Sequence, residues 1–324
     1  MAGSTPAPVI TFRLSGKDPT NGRVVTATRV SPRRTRRPWR PSALTVTIAL
    51  VMLTGVGILF YPSTASWLSS YNQSQLIGDY SQSVAEADPG AAEQLRLAHE
   101  YNDALLAGVD IEANANIATG SGTLQDETLV YDEMLSAGSA GLMARVRIPS
   151  IDVDLPVYHG TSDEVLDRGA GHLEGSHLPV GGTGTHSVIT AHRGLANATM
   201  FSNLDRVEVG DRFTIEVLDE VLTYEVREIR VVEPHETDTL RAQPDSDLVT
   251  FITCTPLGIN SHRILVTGER VTPTPIEDIE GAGADPEIPG FPWWAVAAVL
   301  AVVTATAYIW RTGYGDAARR IKRP

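Results

Sequence analysis

Cysteine is almost missing from the sequence, which holds one thiol, Cys254, in 324 residues. No disulfide can form within the chain, so a cross-linked framework is excluded. Metal sites that need two thiolates are excluded with it. An unpaired thiol facing an oxidising compartment is open to oxidation, so its presence calls for a reason, either burial among apolar groups or chemistry.

Charge is missing from two stretches. "ALTVTIALVMLTGVGILFY", Ala43 to Tyr61, and "WWAVAAVLAVVTATAYIW", Trp293 to Trp310, contain no charged residue. Each approaches the roughly 20 apolar residues that cross a bilayer as a helix, and Trp at both ends of the second suits the headgroup boundary. Both read as transmembrane helices. Arg33, Arg34, Arg36, Arg37 and Arg40 precede the first, and Arg311, Arg319, Arg320, Lys322 and Arg323 follow the second. Positive charge favours the cytoplasmic side, so both termini are expected there, in a two-pass protein of the cell membrane with residues 62–292 outside. A cleaved signal peptide is the alternative for the first span, but its leader of about forty residues and its long apolar run exceed that pattern.

Basic residues are scarce between the spans. The N-terminal tail holds nine of the 26 Lys and Arg and the C-terminal tail five, leaving twelve outside against 37 of the 39 acidic residues, a net of −25. Nucleic acid and anionic headgroups are disfavoured as partners of this part. A solvated acidic surface accounts for the imbalance without any partner.

Large apolar residues are few from 62 to 140. "DPGAAEQLRLAHEYNDALLAG" has a helix start at Asp88-Pro89, apolar or aromatic residues at Leu97, Tyr101 and Leu105, and a stop at Gly108, and reads as an exposed helix. "IEANANIATGSGTLQDET" then loses periodicity and reads as a mobile loop. From Gly141 short strands alternate with turn signals. In "LMARVRIPSIDVDLPVYHG", Val146, Ile148, Val153, Leu155 and Val157 alternate with Arg145, Arg147, Asp152 and Asp154, a period of two broken by Pro149 and Pro156 that predicts edge-like strands with one wet face. "THSVITAH", "DRFTIEVLD", "EVLTYEVREIRVVEP", "DLVTFITC" and "HRILVTGER" follow at similar spacing, a mainly β pattern that predicts a single barrel or sandwich of about 130 residues.

The chemistry-bearing residues sit at strand ends. "TFITCTP" puts Cys254 at the end of a β-rich run that Pro256 terminates. Pairing across "PLGIN" brings Arg263 back near it, and alternation lets only one of His262 and Arg263 share its cleft. A guanidinium there can lower a thiol's pKa and can donate to an oxyanion on an attacked carbonyl. For proton transfer His192, at the end of "HSVITAH", is the candidate, because a neutral imidazole both accepts and returns a proton near neutral pH. Residue types alone leave open that Cys254 is core and His192 a turn residue. His159, His172, His177 and His186 fall close together but match no metal-ligand spacing, and read as loop and surface histidines.

The order of these motifs resembles the sortase family, and within it the class C, pilus-assembling sortases. The resemblance is carried by "IPSIDVDLPVYHGTSDEVLDRGAGHLEGSHLPVGG", "THSVITAHRGL", "FSNLDRVEVGD" and "TFITCTPLGINSHRILVTGER", which run through Gly141 to Val271 in the family's His, Cys, Arg order. It implies an eight-stranded sortase β-barrel and transpeptidation without metal or organic cofactor. In that reading Cys254 attacks the Thr-Gly carbonyl of an LPXTG-like sorting signal to form a thioacyl enzyme, His192 shuttles the proton, and Arg263 holds substrate and stabilises the oxyanion. The partners implied are LPXTG-bearing pilin or surface proteins, an amine acceptor that is a pilin lysine or a cell-wall peptide, and the lipid bilayer. A housekeeping-type sortase that attaches proteins to peptidoglycan is the nearer alternative, and a non-catalytic surface assembly module the remoter one.

The chain then divides into a cytoplasmic basic tail (1–42), a transmembrane helix (43–61), an extracellular helix and lid-like loop (62–140), the catalytic barrel (141–271), a Pro/Gly/acidic linker or tether (272–292), a second transmembrane helix (293–310) and a cytoplasmic basic tail (311–324). One departure stands out. Class C enzymes carry a lid with an Asp-Pro-aromatic motif, whereas the one Asp-Pro between the first span and the barrel, Asp88-Pro89, is followed by Gly90, and the place of the lid, Ala113 to Asp132, offers Tyr131 as its sole aromatic.

Overall fold

The computed structural model describes residues 39, 41–87, 89–106, 109–111, 118–120, 123–124, 129–136, 141–236, 238–284 and 289–321. Most of both basic tails' charge, and much of the lid-like segment, therefore lies outside the described residues. Contacts divide the chain into two units, residues 1–53 with 302–324, and residues 54–301. In the first, the Trp39 indole donates to the Trp310 carbonyl at 3.3 Å. The second contains the barrel.

Eight strands close that barrel: β1 (Leu142–Ile148), β2 (Val153–His159), β3 (Ala170–His172), β4 (Thr185–Thr190), β5 (Arg212–Val217), β6 (Glu220–Val232), β7 (Asp247–Thr255) and β8 (His262–Arg270). Their order around it is β6-β8-β7-β4-β3-β2-β1-β5, with β5 returning to β6 through a hairpin. Two neighbouring pairs, β2 with β3 and β4 with β7, run parallel. The alternation that marked these strands in the sequence sets two faces. On β7, Val249 and Phe251 enter the main core, where Phe251 meets Phe213 edge-on at 4.6 Å and Phe213 stacks on Tyr224. On the other face Ile252, Val188 of β4 and Leu265 of β8 join Leu173, Val232 and Leu240 in a smaller cluster.

The edge-like, wet-faced reading of β1 does not hold. A closed barrel has no edge, and β1 pairs with β2 on one side and β5 on the other. Arg145 is 2% exposed, forked onto Asp154 through two 2.7 Å hydrogen bonds and reaching Glu216 at 3.3 Å. Stranding that guanidinium without its carboxylates would cost several kcal/mol, so the three charges stay together. Residues 276–284, at the start of the linker, supply the cover: a short helix, Ile276–Glu280, accepts from Thr223 through Asp278, and the Ala284 and Gly281 carbonyls accept from Arg145 and Arg147.

Three longer helices flank the barrel in sequence. The first, α1 (Ala43–Ala85), runs past Pro62 without a break. Its far end buries Gln73, Ser74, Ile77 and Tyr80, one helical stripe. The Tyr80 hydroxyl donates to the Met143 carbonyl and accepts from the Leu218 N–H, pinning α1 to β1 and to the β5–β6 turn. The second, α2 (Ala91–Ala104), was expected to be exposed but buries Gln94, Leu95, Ala98, Tyr101 and Asn102. Its polar anchor is Asn102, whose amide both donates to the Leu178 carbonyl and accepts from the Leu178 N–H. The third, α3 (Trp293–Ile321), has a first part, Trp293–Tyr314, that like α1 is long and apolar enough to cross a membrane.

Candidate active site

The three sequence candidates lie at one rim of the barrel. Cys254 ends β7 on the face of Ile252, and it is 8% exposed. The loop to β8 turns back through Gly258 and Asn260, both at positive φ, while the Ile259 and Asn260 N–H groups converge on the Pro256 carbonyl. That turn sets the register in which Arg263 pairs directly with Cys254, and His262 with Thr255. Arg263, not His262, therefore shares the thiol's face, the choice that alternation had left open. Its guanidinium is 3% exposed and donates to the Asn260 and His262 carbonyls at 2.9 and 3.0 Å, which holds it against the loop. Burial pushes the Cys254 thiol up from its ordinary pKa, and the Arg263 charge opposes that rise.

His192 comes from the neighbouring parallel strand. The β4–β7 register matches Thr190 with Ile252, and beyond it the Ala191 N–H donates to the Ile252 carbonyl while Thr253 Oγ1 donates to the Ala191 carbonyl. Two residues beyond that last pair, His192 follows the end of β4 and Cys254 lies near the end of β7, at the same end of the barrel. The His192 carbonyl accepts from the Phe201 N–H at 3.1 Å, so the following loop folds back on it. Gly194 in that loop has φ +77°, and a Cβ there would lie 2.0 Å from Leu257 Cδ2, so the two rim loops touch at a point that only glycine allows. Below the three residues, Ile252, Leu265 and Val188 form an apolar floor.

The four clustered histidines are corrected. His172, His177 and His186 are buried, at 0%, 7% and 1% exposure, and His159 is half-buried, so none is the solvated loop residue expected. Each has protein partners instead. His172 Nε2 bonds to the His177 carbonyl at 2.8 Å and its Nδ1 to the Tyr131 hydroxyl at 2.9 Å. His186 Nε2 meets Thr250 Oγ1 at 2.7 Å, which meets Thr267 Oγ1 at 2.8 Å, a polar chain two residues along the strands from the floor. Desolvation drives His172 to about 3 and His186 to about 4, so both are neutral at pH 7. Spacing carried no sign of this, because the partners are 41 and 64 residues away.

Tyr131, the aromatic in the expected place of the lid, packs in the main core, with its ring 5.1 Å from that of His159. Its hydroxyl also accepts from the Gly160 N–H. It belongs to the barrel's packing rather than to the thiol's face. A cavity of 470 Å³ opens beside the loop after His192, between Gln73 and Ile77 of α1, the β1–β2 turn at Asp152, and Met200 and Asn203. None of the three candidates lines it.

A sortase-domain family model matches residues 146–271, the span from β1 through β8. Sortase C of Streptococcus pneumoniae, whose structure is described for pilin substrate specificity, is 41% identical over 61% of this chain and 96% of its own, at a TM-score of 0.53. The chain belongs to the sortase family. Sortase C1 of Streptococcus agalactiae is 38% identical over 61% of this sortase and 98% of its own chain, again at 0.53. Sortase D of Bacillus subtilis is 28% identical over 130 residues, which cover 39% of this sortase and 63% of that relative's length, just under two thirds. Sortases are cysteine transpeptidases, and the barrel that carries Cys254 at its rim is their fold.

Proposed function

We propose that this sortase is a membrane-anchored transpeptidase with Cys254 as nucleophile, His192 as proton shuttle and Arg263 as oxyanion and substrate ligand. The single observation that supports the reading is the register: Cys254 pairs with Arg263 across β7 and β8, and β4, parallel to β7, leads into His192 at the same end of the barrel. Because burial keeps the thiol protonated at neutral pH, Cys254 needs a base at the moment of attack, and His192, just beyond the end of β4, is the proposed one. The sulfur attacks the Thr carbonyl of an LPXTG-like signal. The carbonyl oxygen becomes an oxyanion that the Arg263 fork can neutralise. Collapse breaks the Thr-Gly bond, His192 gives its proton to the departing amine, and a thioester remains. An incoming lysine amine then attacks the thioester, losing its proton to His192 and releasing the thiol. No step requires a metal or organic cofactor.

Pilin subunits are the proposed donor and acceptor, a choice supported by similarity to a sortase described for pilin specificity. Two apolar helices support the two-pass arrangement, with basic tails 1–42 and 311–324 inside and 62–292 outside. The test is to incubate the full chain in detergent with an LPXTG peptide and a lysine-bearing pilin domain, and to identify the isopeptide by mass. Linkage to a cell-wall peptide and not to the pilin would favour the housekeeping reading. Equal turnover by wild type and Cys254→Ala would refute the mechanism.

A further inference from the structure

Immediately after His192 stands a second arginine. Arg193 has a side chain that is only 7% exposed, and all three guanidinium nitrogens are engaged. Nη2 meets Asp205 Oδ2 at 2.7 Å, Nη1 donates to Thr255 Oγ1 at 2.8 Å, and Nε donates to the Ser202 carbonyl at 3.3 Å. The three partners come from two segments. Thr255 is the residue after Cys254. Ser202 lies in the loop that folds back on the His192 carbonyl, and it also accepts the Gly194 N–H through its hydroxyl at 3.0 Å. Asp205 follows in the same segment, in the middle of the single helical turn Leu204–Arg206.

We propose that Arg193 is a positioning residue that fixes the separation between His192 and Cys254. The proposal rests on the reading of those two residues given above and adds the part that holds them. His192 lies beyond the last β4 ladder pair, in a loop, so strand pairing alone does not determine its distance from β7. Two side-chain bonds link the rim segments on either side of the pair: Thr253 Oγ1 to the Ala191 carbonyl, one residue before each group, and Arg193 to Thr255, one residue past each. A guanidinium suits this task because its planar fork fixes direction as well as reach, and a buried one is intolerant of losing a partner. The Leu257 side chain lies close to Gly194 between the same two loops. Proton transfer falls off steeply with misplacement, which is where Arg193 acts on rate.

The experiment measures kcat, KM and the pH profile of peptide cleavage by the full chain in detergent. Arg193→Gln is expected to lower kcat by about 100-fold with KM changed by less than about twofold, since a misplacement of roughly 1 Å has that effect on rate. Thr255→Val, which removes one hydroxyl and little else, is expected to lower kcat by about tenfold, and Thr255→Ser to restore it. The double variant Arg193→Gln/Thr255→Val is expected to be no slower than Arg193→Gln alone, because the two share one interaction. The limbs of the pH profile are expected to shift in Arg193→Gln; a fold weakened without misplacement lowers the profile's height and leaves its limbs where they were. Wild-type kcat and unmoved limbs in Thr255→Val overturn the proposal even where Arg193→Gln fails to fold. Turnover persisting in Cys254→Ala or His192→Gln instead overturns the underlying site reading, so the two failures are told apart.

Discussion

Two opposing influences act on the Cys254 sulfur, burial raising its pKa and the Arg263 charge lowering it. Iodoacetamide alkylation of Cys254, unique in the sequence and so read without background, is expected to have its midpoint above the ordinary thiol value of about 8.5. In Arg263→Ala the midpoint moves higher still, since the lowering influence is gone. A wild-type midpoint near pH 6 would contradict this balance. Arg263→Lys keeps the charge but loses the planar guanidinium, whose Nη1 donates to both the Asn260 and the His262 carbonyls. Its kcat is expected to fall at least tenfold, and near-normal rates in a peptide assay would remove Arg263 from the oxyanion role. At this scale the sequence was informative. Cys254, His192 and Arg263 each stand at the end of a β pattern, and alternation had already narrowed the choice between His262 and Arg263. It could not disclose Arg193, because a buried arginine and an exposed one are written identically, and its partners lie 62 residues away at Thr255 and 12 away at Asp205.

Among the elements, the helices matter for stability more than their composition suggests. Asn102→Ala removes both partners of the buried Leu178 backbone, and should destabilise the barrel by about 2–4 kcal/mol in urea unfolding. Tyr131→Phe removes a hydroxyl shared among His172 and Gly160, and should cost about 1–3 kcal/mol while leaving the turnover of folded enzyme unchanged. A rise in turnover in Tyr131→Phe would instead mark that ring as a lid over the thiol. Strands were legible because one face alternates with the other in sequence. The second half of α1 was not, since it docks through Gln73, Ser74, Ile77 and Tyr80, a stripe with two polar members. β3 was missed for its length, three residues that read as "AGH". Arg145 reads as solvent-facing in the alternation, yet it is buried with the Ala284 carbonyl as one of its partners, 139 residues away in sequence.

For the molecule as a whole, the neutral histidines set a pH limit. Unfolded imidazoles bind protons near the ordinary value of about 6.5, whereas His172 and His186 in the fold resist protonation until about 3 and about 4. The unfolded state then holds more protons below about pH 6.5, so stability falls as pH falls, by roughly 1.4 kcal/mol per unit for each imidazole. Urea unfolding at several pH values checks this, and an unaltered slope in His172→Asn/His186→Gln would assign the acid sensitivity elsewhere. Both apolar helices present mostly exposed side chains. The full chain is expected in the membrane fraction after carbonate washing, with a protease added outside cleaving between the spans and sparing the tails.

The parallel pairing of β4 with β7 has a consequence for how such an enzyme diversifies. Parallel neighbours cannot be joined by a tight hairpin, so His192 and Cys254 reach the rim from strands that have β5 and β6 between them in the chain, and each is followed by a loop of its own. Insertions between Leu195 and Thr199 would alter the rim on the His192 side, where Phe201 bonds the His192 carbonyl, while β7 and Cys254 stay outside the altered segment.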